Sequence, residues 1–275
     1  MERLWIWFKI LPIENIKKIN ILEKYNDISK VYSLSDKELI NLGLTNEEIR
    51  SFNDIAICKQ VDEIMKYNNN NGVRILTIED SLYPKLLKEI YNPPILLYYI
   101  GNVNILNSSS VSIFQGKKVD IYGRKLLGYI SNNLFKDNIK IVSRFDEDDR
   151  KLFLNNDGDK NIIVLSSGIH EKLYCNKGVI ITENEYYIKG TTENILRRNR
   201  ILTGLAKELV IIQANVFDGV SYILENALEQ NREVWVVPGN INDDTNVYTN
   251  ELLKHGVNVL TNYKDLLVYE QELKK

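Results

Sequence analysis

Residues 193–213, ENILRRNRILTGLAKELVIIQ, join an amphipathic segment (193–207) to a largely apolar run (209–213). The same alternation continues on both sides of this stretch. Further apolar runs lie at 95–100, 111–114, 139–142, 162–165, 179–182, 234–237 and 258–260, and further amphipathic segments lie at 122–135, 220–230 and 246–255. Apolar strands that alternate with helices are typical of a parallel sheet covered on both faces. The sequence therefore predicts an α/β protein with a doubly wound, mostly parallel sheet.

The first 66 residues have apolar positions spaced three and four apart, as in helices. Ser35 and Thr45 are candidate helix starts, and residues 39–45 predict two helices joined by a glycine turn. Such a hairpin can present backbone amides to a DNA phosphate, but it is also the ordinary turn between packed helices. The run 67–72, YNNNNG, is rich in turn formers. We therefore predict a small all-α module at 1–68, similar to SAM or helix-hairpin-helix modules, and a second domain at 72–275.

Composition and charge exclude disordered, collagen-like and fibrous proteins. The 275 residues are 44% hydrophobic and 26% charged, and the formal net charge is −2. Because there is no overall basic excess, nucleic-acid binding would need a local basic patch. Only two cysteines are present, Cys58 and Cys175, and neither a leader peptide nor an apolar run of membrane-spanning length is recognisable. These features predict a cytoplasmic protein without disulfides or membrane contact.

Ligands of an open parallel sheet bind beyond the carboxyl ends of its strands, so the loops at that edge are candidate binding elements. The loop after 111–114 contains Gly116, Lys117 and Lys118 ahead of a helix, and it could hold a phosphate. It lacks the further glycines of dinucleotide-binding loops and P-loops. The loop after 139–142 carries four consecutive acids at 146–149. These predict a solvated helix start, with a metal site as the alternative.

The strongest local signal is a basic cluster within the segment 193–207, formed by Arg197, Arg198, Asn199 and Arg200. Three guanidinium groups and an amide are suited to binding phosphates or base edges. The alternative is a solvated basic helix face with salt bridges to Glu193 or Glu208. His170 and His255 are the only histidines, and no nucleophile has a recognisable partner base. We therefore predict no catalytic residues, no metal and no cofactor.

Four stretches in a fixed order resemble one bacterial family. They are the lead-in with Tyr83-Pro84, Asn92-Pro-Pro94 and Gly101-Asn102; the pair Tyr122-Gly123; Arg198-Asn-Arg200 followed by Gly204-Leu205; and a closing segment from Ala227 through Arg232 and Val237-Pro-Gly239 to Asn250 and Gly256. Together they resemble the DNA-processing protein A (DprA/Smf) family, which binds single-stranded DNA and delivers it to the RecA recombinase during natural transformation. The resemblance implies a Rossmann-like fold, a homodimer and DNA binding without enzymatic activity.

Several positions depart from that family's pattern. Residues 115–117 stand where the family has Gly-Ser-Arg, and its glycine-rich second loop is replaced by the residues that follow Ser143. Residues 195–196, Ile-Leu, stand where the family has an aromatic residue and a proline. That change removes a base-stacking platform, and stacking is worth about 1–3 kcal/mol per base. Asp218 and Tyr248 replace a serine and a glycine.

Three functions remain. The favoured one is a divergent single-stranded-DNA-binding recombination mediator that loads RecA and contacts DNA through Gly116, Lys117, Lys118, Arg197, Arg198, Asn199 and Arg200. The second is a non-enzymatic interaction protein that kept the fold and lost most DNA binding. The third is a nucleotide-processing enzyme on a similar sheet, such as a phosphoribohydrolase. Its Pro-Gly-Gly-x-Gly-Thr loop is absent, since Pro238-Gly239 continues as Asn240-Ile241.

Overall fold

The computed structural model describes residues 1–116, 119–144, 161–170 and 178–266. The chain begins with a helical region whose helices are α1 (Glu2–Ile10), α2 (Asn15–Tyr25), α3 (Ile28–Tyr32), α4 (Asp36–Asn41), α5 (Asn46–Ser51) and α6 (Ile55–Asn71). Capping boxes start α4 and α5: Ser35 pairs with Glu38, and Thr45 pairs with Glu48. The two predicted helix starts are thus confirmed, and Gly43 turns the chain between them at φ 78°.

The asparagine run was predicted to be a turn, and that prediction is wrong for all but its last residue. Helix α6 continues through Asn71 and ends at Gly72, which adopts the left-handed conformation. Asn68 is buried in the last turns of this helix, and Tyr67 stacks on the ring of Tyr186. The division into 1–68 and 72–275 stays a prediction. One apolar cluster runs without a break from Phe8 in α1 to Leu97 in the sheet.

The remaining elements include every predicted strand and helix of this region, together with β1 and α7, which were not predicted. They are β1 (Arg74–Thr77), α7 (Lys85–Lys88), β2 (Leu96–Gly101), β3 (Ser110–Gln115), α8 (Ile121–Lys136), β4 (Lys140–Arg144), β5 (Asn161–Val164), β6 (Val179–Thr182), α9 (Thr192–Gly204), β7 (Glu208–Ile212), α10 (Val220–Glu229), β8 (Glu233–Val236), α11 (Val247–Lys254) and β9 (Asn258–Val259). Single 3-10 turns lie at Val103–Asn107, Val216–Asp218 and Asp244–Asn246. No helix among the residues that the structure describes is both long and apolar enough to span a membrane.

The strands form a nine-stranded sheet in the order β1-β2-β6-β5-β4-β3-β7-β8-β9. All neighbours from β6 to β9 along this order are parallel, whereas β2 runs antiparallel to both β1 and β6. Helix α8 packs on one face, with Leu127 and Ile130 against the sheet, and α9 and α10 pack on the other. The Rossmann-like, doubly wound and mostly parallel α/β fold is therefore confirmed.

The winding of the chain defines where a ligand would bind. From β3 the chain moves outward through β4, β5 and β6, and it then returns through α9 to β7 on the other side of β3. The carboxyl ends of β3 and β7 therefore flank the topological switch point, at which open α/β sheets bind their ligands. The loop that contains Gly116 follows β3 at this point.

Candidate nucleic-acid interface

The basic cluster lies on α9, and its last member is held in an ion pair. Arg200 donates two parallel hydrogen bonds to Glu183, from Nη1 to Oε1 at 2.9 Å and from Nη2 to Oε2 at 2.7 Å. Its Nε also donates to the carbonyl oxygen of Asn92 in the lead-in, at 3.0 Å. Glu183 follows β6 directly and is buried. Arg200 therefore ties α9, the sheet and the lead-in together.

The protonation state of Glu183 depends on the cationic side chains around it. Burial alone would raise the pKa of this carboxyl, but Arg200, Lys9 and Arg197 lower it below its usual range. Arg197 lies 3.7 Å from Glu183, between Nε and Oε1, and 47% of its side chain is exposed. One carboxylate thus sits among cations from two separate regions of the chain, and it remains charged at neutral pH.

The two middle members of the cluster point inward. Arg198 and Asn199 are both buried, and Arg198 Nε donates to Asn199 Oδ1 at 3.1 Å. Arg197 is therefore the arginine of this cluster whose side chain is half open to solvent. The salt-bridge partner of Arg197 and Arg200 is Glu183, and not Glu193 or Glu208 as the alternative interpretation proposed.

At the switch point, Gly116 is enclosed by the loop after β7. Its amide donates to the carbonyl of Gln213 at 2.8 Å. A Cβ atom at this position would overlap that carbonyl and the Asp218 carboxylate. Arg144, at the end of β4, donates from Nη2 to the Gln115 carbonyl at 2.6 Å, and its guanidinium lies over the Phe114 ring, 4.9 Å from the centroid. The predicted site residues Lys117 and Lys118 and the acids at 146–149 lie outside the described residues.

The start of α8 adds a further carboxylate to this edge. Asp120 caps the helix by accepting a hydrogen bond from the Gly123 amide at 2.8 Å. That bond is the main reason why the pKa of Asp120 is lowered. Gln213 supports the same turn, because its Oε1 accepts a hydrogen bond from the Asp120 amide at 3.2 Å. Asp218, which accepts a hydrogen bond from the Asn215 amide at 2.9 Å, adds a further carboxylate at the described part of the switch point.

The structure does not bring all the predicted site residues together. Gly116 follows β3 and Glu183 follows β6, and β4 and β5 lie between these strands. Three strand spacings correspond to about 14 Å. A single phosphate cannot bridge that span, so only a chain of phosphates could contact both places. Among the described residues no group of His, Cys, Asp or Glu side chains is arranged to hold a metal ion.

Other residues that carry the sequence resemblance have a structural role. Arg232 donates from Nη2 to the carbonyl of Leu86 at 3.1 Å, and so ties the turn between α10 and β8 to α7. Asn250 bridges the turn after β8: its Oδ1 accepts from the Gly239 amide at 3.1 Å, and its Nδ2 donates to the Gly239 carbonyl at 3.2 Å. These two side chains hold backbone segments in place.

The sequence analysis did not assign roles to Glu183, Arg144 and Gln213. Glu183 directly follows an apolar run that was identified as a strand, Gln213 ends another, and Arg144 lies two residues beyond a third. In a parallel sheet this position is the carboxyl edge. A polar residue at the end of a buried strand was therefore the signal that could have found them.

Comparison with known proteins places the chain in a family. A model of the family described as DNA recombination-mediator protein A matches residues 74–271. The DNA processing protein DprA of Streptococcus pneumoniae is 26% identical over 205 residues, covering 70% of this chain and 72% of its own length. Protein Smf of Escherichia coli is 22% identical over 277 residues, covering 95% of this chain and 74% of its own.

Two solved structures share the fold. The X-ray structure of DprA from Streptococcus pneumoniae covers 98% of this chain and 97% of its own, with a TM-score of 0.81 at 23% identity. A Helicobacter pylori DNA processing protein A, whose structure addresses a single-stranded-DNA binding mode, covers 72% of this chain and 96% of its own, with a TM-score of 0.62 at 22% identity. By its sequence, the chain belongs to the DNA recombination-mediator protein A family.

Proposed function

We propose that the protein is a non-enzymatic recombination mediator that binds single-stranded DNA and loads a RecA-type recombinase in the cytoplasm, acting as a homodimer in DNA uptake and transformation. Family membership supports the mediator role, and the single-stranded-DNA binding described for the Helicobacter pylori protein supports the substrate. In this chain the proposal rests on one observation, the exposure of the charged Arg197 side chain to solvent. This side chain is half exposed on α9, beside a Glu183 carboxylate whose charge Arg200 already balances.

Within the predicted site, the residues divide into two roles. Arg197 and the loop of Gly116, Lys117 and Lys118 would contact the phosphate backbone. Arg200 would orient α9 and Glu183, and the buried Arg198 and Asn199 would support them from inside. Because phosphate contacts release counterions, DNA binding by such a site depends strongly on salt.

The second candidate is an interaction protein that kept the fold and lost most DNA binding. The observation that favours it is the pairing of Arg200 with Glu183, together with the carboxylates of Asp120 and Asp218 at the switch point. These features reduce the positive charge that is available to a phosphate chain.

Titration of the purified protein against a labelled oligo-dT, followed by fluorescence anisotropy at about 50 and 200 mM salt, separates the two candidates. The DNA-binding mediator gives saturable binding that weakens steeply with salt. The absence of binding at both salt concentrations would contradict the first function and leave the second. RecA-dependent ATP hydrolysis on the same oligonucleotide, with and without the protein, then tests the loading step.

A further inference from the structure

Tyr187 is an exposed aromatic ring that the fold holds in a fixed position. It lies in the loop between β6 and α9, and 41% of the residue is exposed. Its hydroxyl accepts a hydrogen bond from Gln60 Nε2 of α6 at 2.6 Å. Its ring meets Tyr186 edge-on, with the centroids 5.2 Å apart and the planes at 85°. The side chain is therefore fixed at both its ring and its hydroxyl.

The support beneath Tyr187 is itself anchored. Tyr186 stacks on Tyr67 of α6, with the centroids 4.0 Å apart and the planes 8° from parallel. The loop backbone is also tied: the Ile188 amide donates to the Glu185 carbonyl, and the Gly168 amide donates to the Ile188 carbonyl, both at 2.9 Å. The exposed ring is therefore ordered before any ligand arrives, which lowers the entropy cost of binding.

The charged side chains around this ring favour the binding of a polyanion. Lys189 and Arg197 are exposed on the same loop and on the helix that follows it. Two buried acids of this loop are already paired, Glu183 with Arg200 and Glu185 with Lys9 at 3.5 Å. Burial raises the pKa of the Tyr187 phenol to about 12, so its oxygen carries no charge that would repel a phosphate.

An aromatic ring interleaved with cations is the arrangement by which proteins bind single-stranded nucleic acid, since every base has a face that can stack. Helix α9 cannot supply such a ring ahead of Arg197, because residues 195–196 are Ile and Leu. We infer that Tyr187 is the base-stacking residue of the single-stranded-DNA interface, and that it stacks a base whose phosphate contacts Arg197. This inference rests on the proposed function.

Tyr187→Ala tests the inference against a matched control. Tyr129 of α8 is 49% exposed and also meets another tyrosine edge-on, but α8 packs on the opposite face of the sheet. We expect Tyr187→Ala to weaken oligo-dT binding about 10-fold and Tyr129→Ala to leave it unchanged. Tyr187→Phe should bind as the wild type does, because it keeps the ring. The salt slope should stay the same in Tyr187→Ala, because a stacked ring releases no counterions.

A direct probe of stacking covers the case in which Tyr187→Ala does not fold. In Tyr187→Trp, the exposed indole should be quenched on addition of unlabelled oligo-dT, whereas the indole of Tyr129→Trp should not. If the wild type fails to bind oligo-dT at any salt, the proposed function fails and this inference fails with it. If the wild type binds, but Tyr187→Ala and Tyr129→Ala bind equally well, or no quenching specific to position 187 occurs, the role of Tyr187 alone is wrong.

Discussion

Arg200 and Glu183 form a two-pronged ion pair across the junction of α9 and the sheet, with N to O distances of 2.9 and 2.7 Å. The pair is inside the protein, since Glu183 is buried and only 13% of the Arg200 side chain is exposed. Removal of one member leaves the other charge without its partner in a poorly solvated place. The basic cluster of the sequence is therefore partly an element of stability.

This pair predicts a large stability cost for Arg200→Ala. Breaking a buried ion pair by removing one partner costs about 3–5 kcal/mol, whereas the half-exposed Arg197 contributes about 0–1 kcal/mol. Urea denaturation of both variants measures the difference in the free energy of unfolding. Equal losses in Arg200→Ala and Arg197→Ala would show that Arg200 has no special structural role.

Arg197→Ala is the variant that tests DNA contact without unfolding the protein. We expect weaker oligo-dT binding and a salt slope that is flatter by about 0.7, the value for one phosphate contact on a single strand. Anisotropy titrations at four or more salt concentrations give this slope. An unchanged slope would mean that Arg197 does not contact a phosphate.

Gly116→Ala should destabilise the protein, because the new methyl group would overlap the Gln213 carbonyl and the Asp218 carboxylate. Gly128 in α8 is the control: no neighbouring atom lies within 4 Å of a Cβ placed there. Gly128→Ala should raise the free energy of unfolding by about 0.5–1 kcal/mol, because alanine favours the helix. Thermal melts of the two variants should therefore shift in opposite directions. A rise in both midpoints would show that the loop after β3 can open without cost.

Lys18 predicts a dependence of stability on pH. Its Nζ donates to the carbonyls of Lys9 and Leu11 at 2.6 and 2.8 Å. Burial, and then the nearby charge of Lys9, lower the pKa of Lys18 to about 7 from its usual 10.5. Between these two values the unfolded chain binds the proton more often than the folded chain, so stability due to this group increases as the pH rises from about 7 to 10.

Lys18→Met removes this pH-dependent contribution to the free energy of unfolding. A fall of the Lys18 pKa from 10.5 to about 7 corresponds to at most about 5 kcal/mol. We therefore expect the difference in unfolding free energy between wild type and Lys18→Met to change steadily over that pH range, in favour of the wild type at high pH. Denaturant titrations at five pH values measure it. A difference that stays constant with pH would contradict the lowered pKa.

The strands inside the sheet could be predicted because burial on both faces makes them apolar throughout. All four residues of β6 are buried, and the sequence analysis found its bounds correctly. Strand β1 was missed because it lies at the edge of the sheet, where Arg74 is exposed and only two of its four residues are buried. The helical asparagines were missed because their propensity favours turns, while the packing of Asn68 and Tyr67 in the same helix decides the outcome.

The candidate site was only partly predictable. The arginines and the glycine loop were visible as local composition, but their environment was not. Glu183 pairs with Arg200 across 17 residues, and Arg144 holds the Gln115 carbonyl across 29, so no short motif records either contact. The fold alone decides which arginine faces solvent and which is already held in an ion pair.

The anchoring by Arg232 and Asn250 shows what kind of contact underlies part of the sequence resemblance. Both belong to the stretches by which the chain resembles its relatives, and both bind backbone carbonyls or amides inside the protein. Two of the residues by which the chain resembles its family thus maintain the fold. Arg197, which we propose contacts DNA, lies outside these stretches. A match at Arg232 or Asn250 therefore reports a scaffold contact and says nothing about DNA binding, which has to be tested at each surface cation separately.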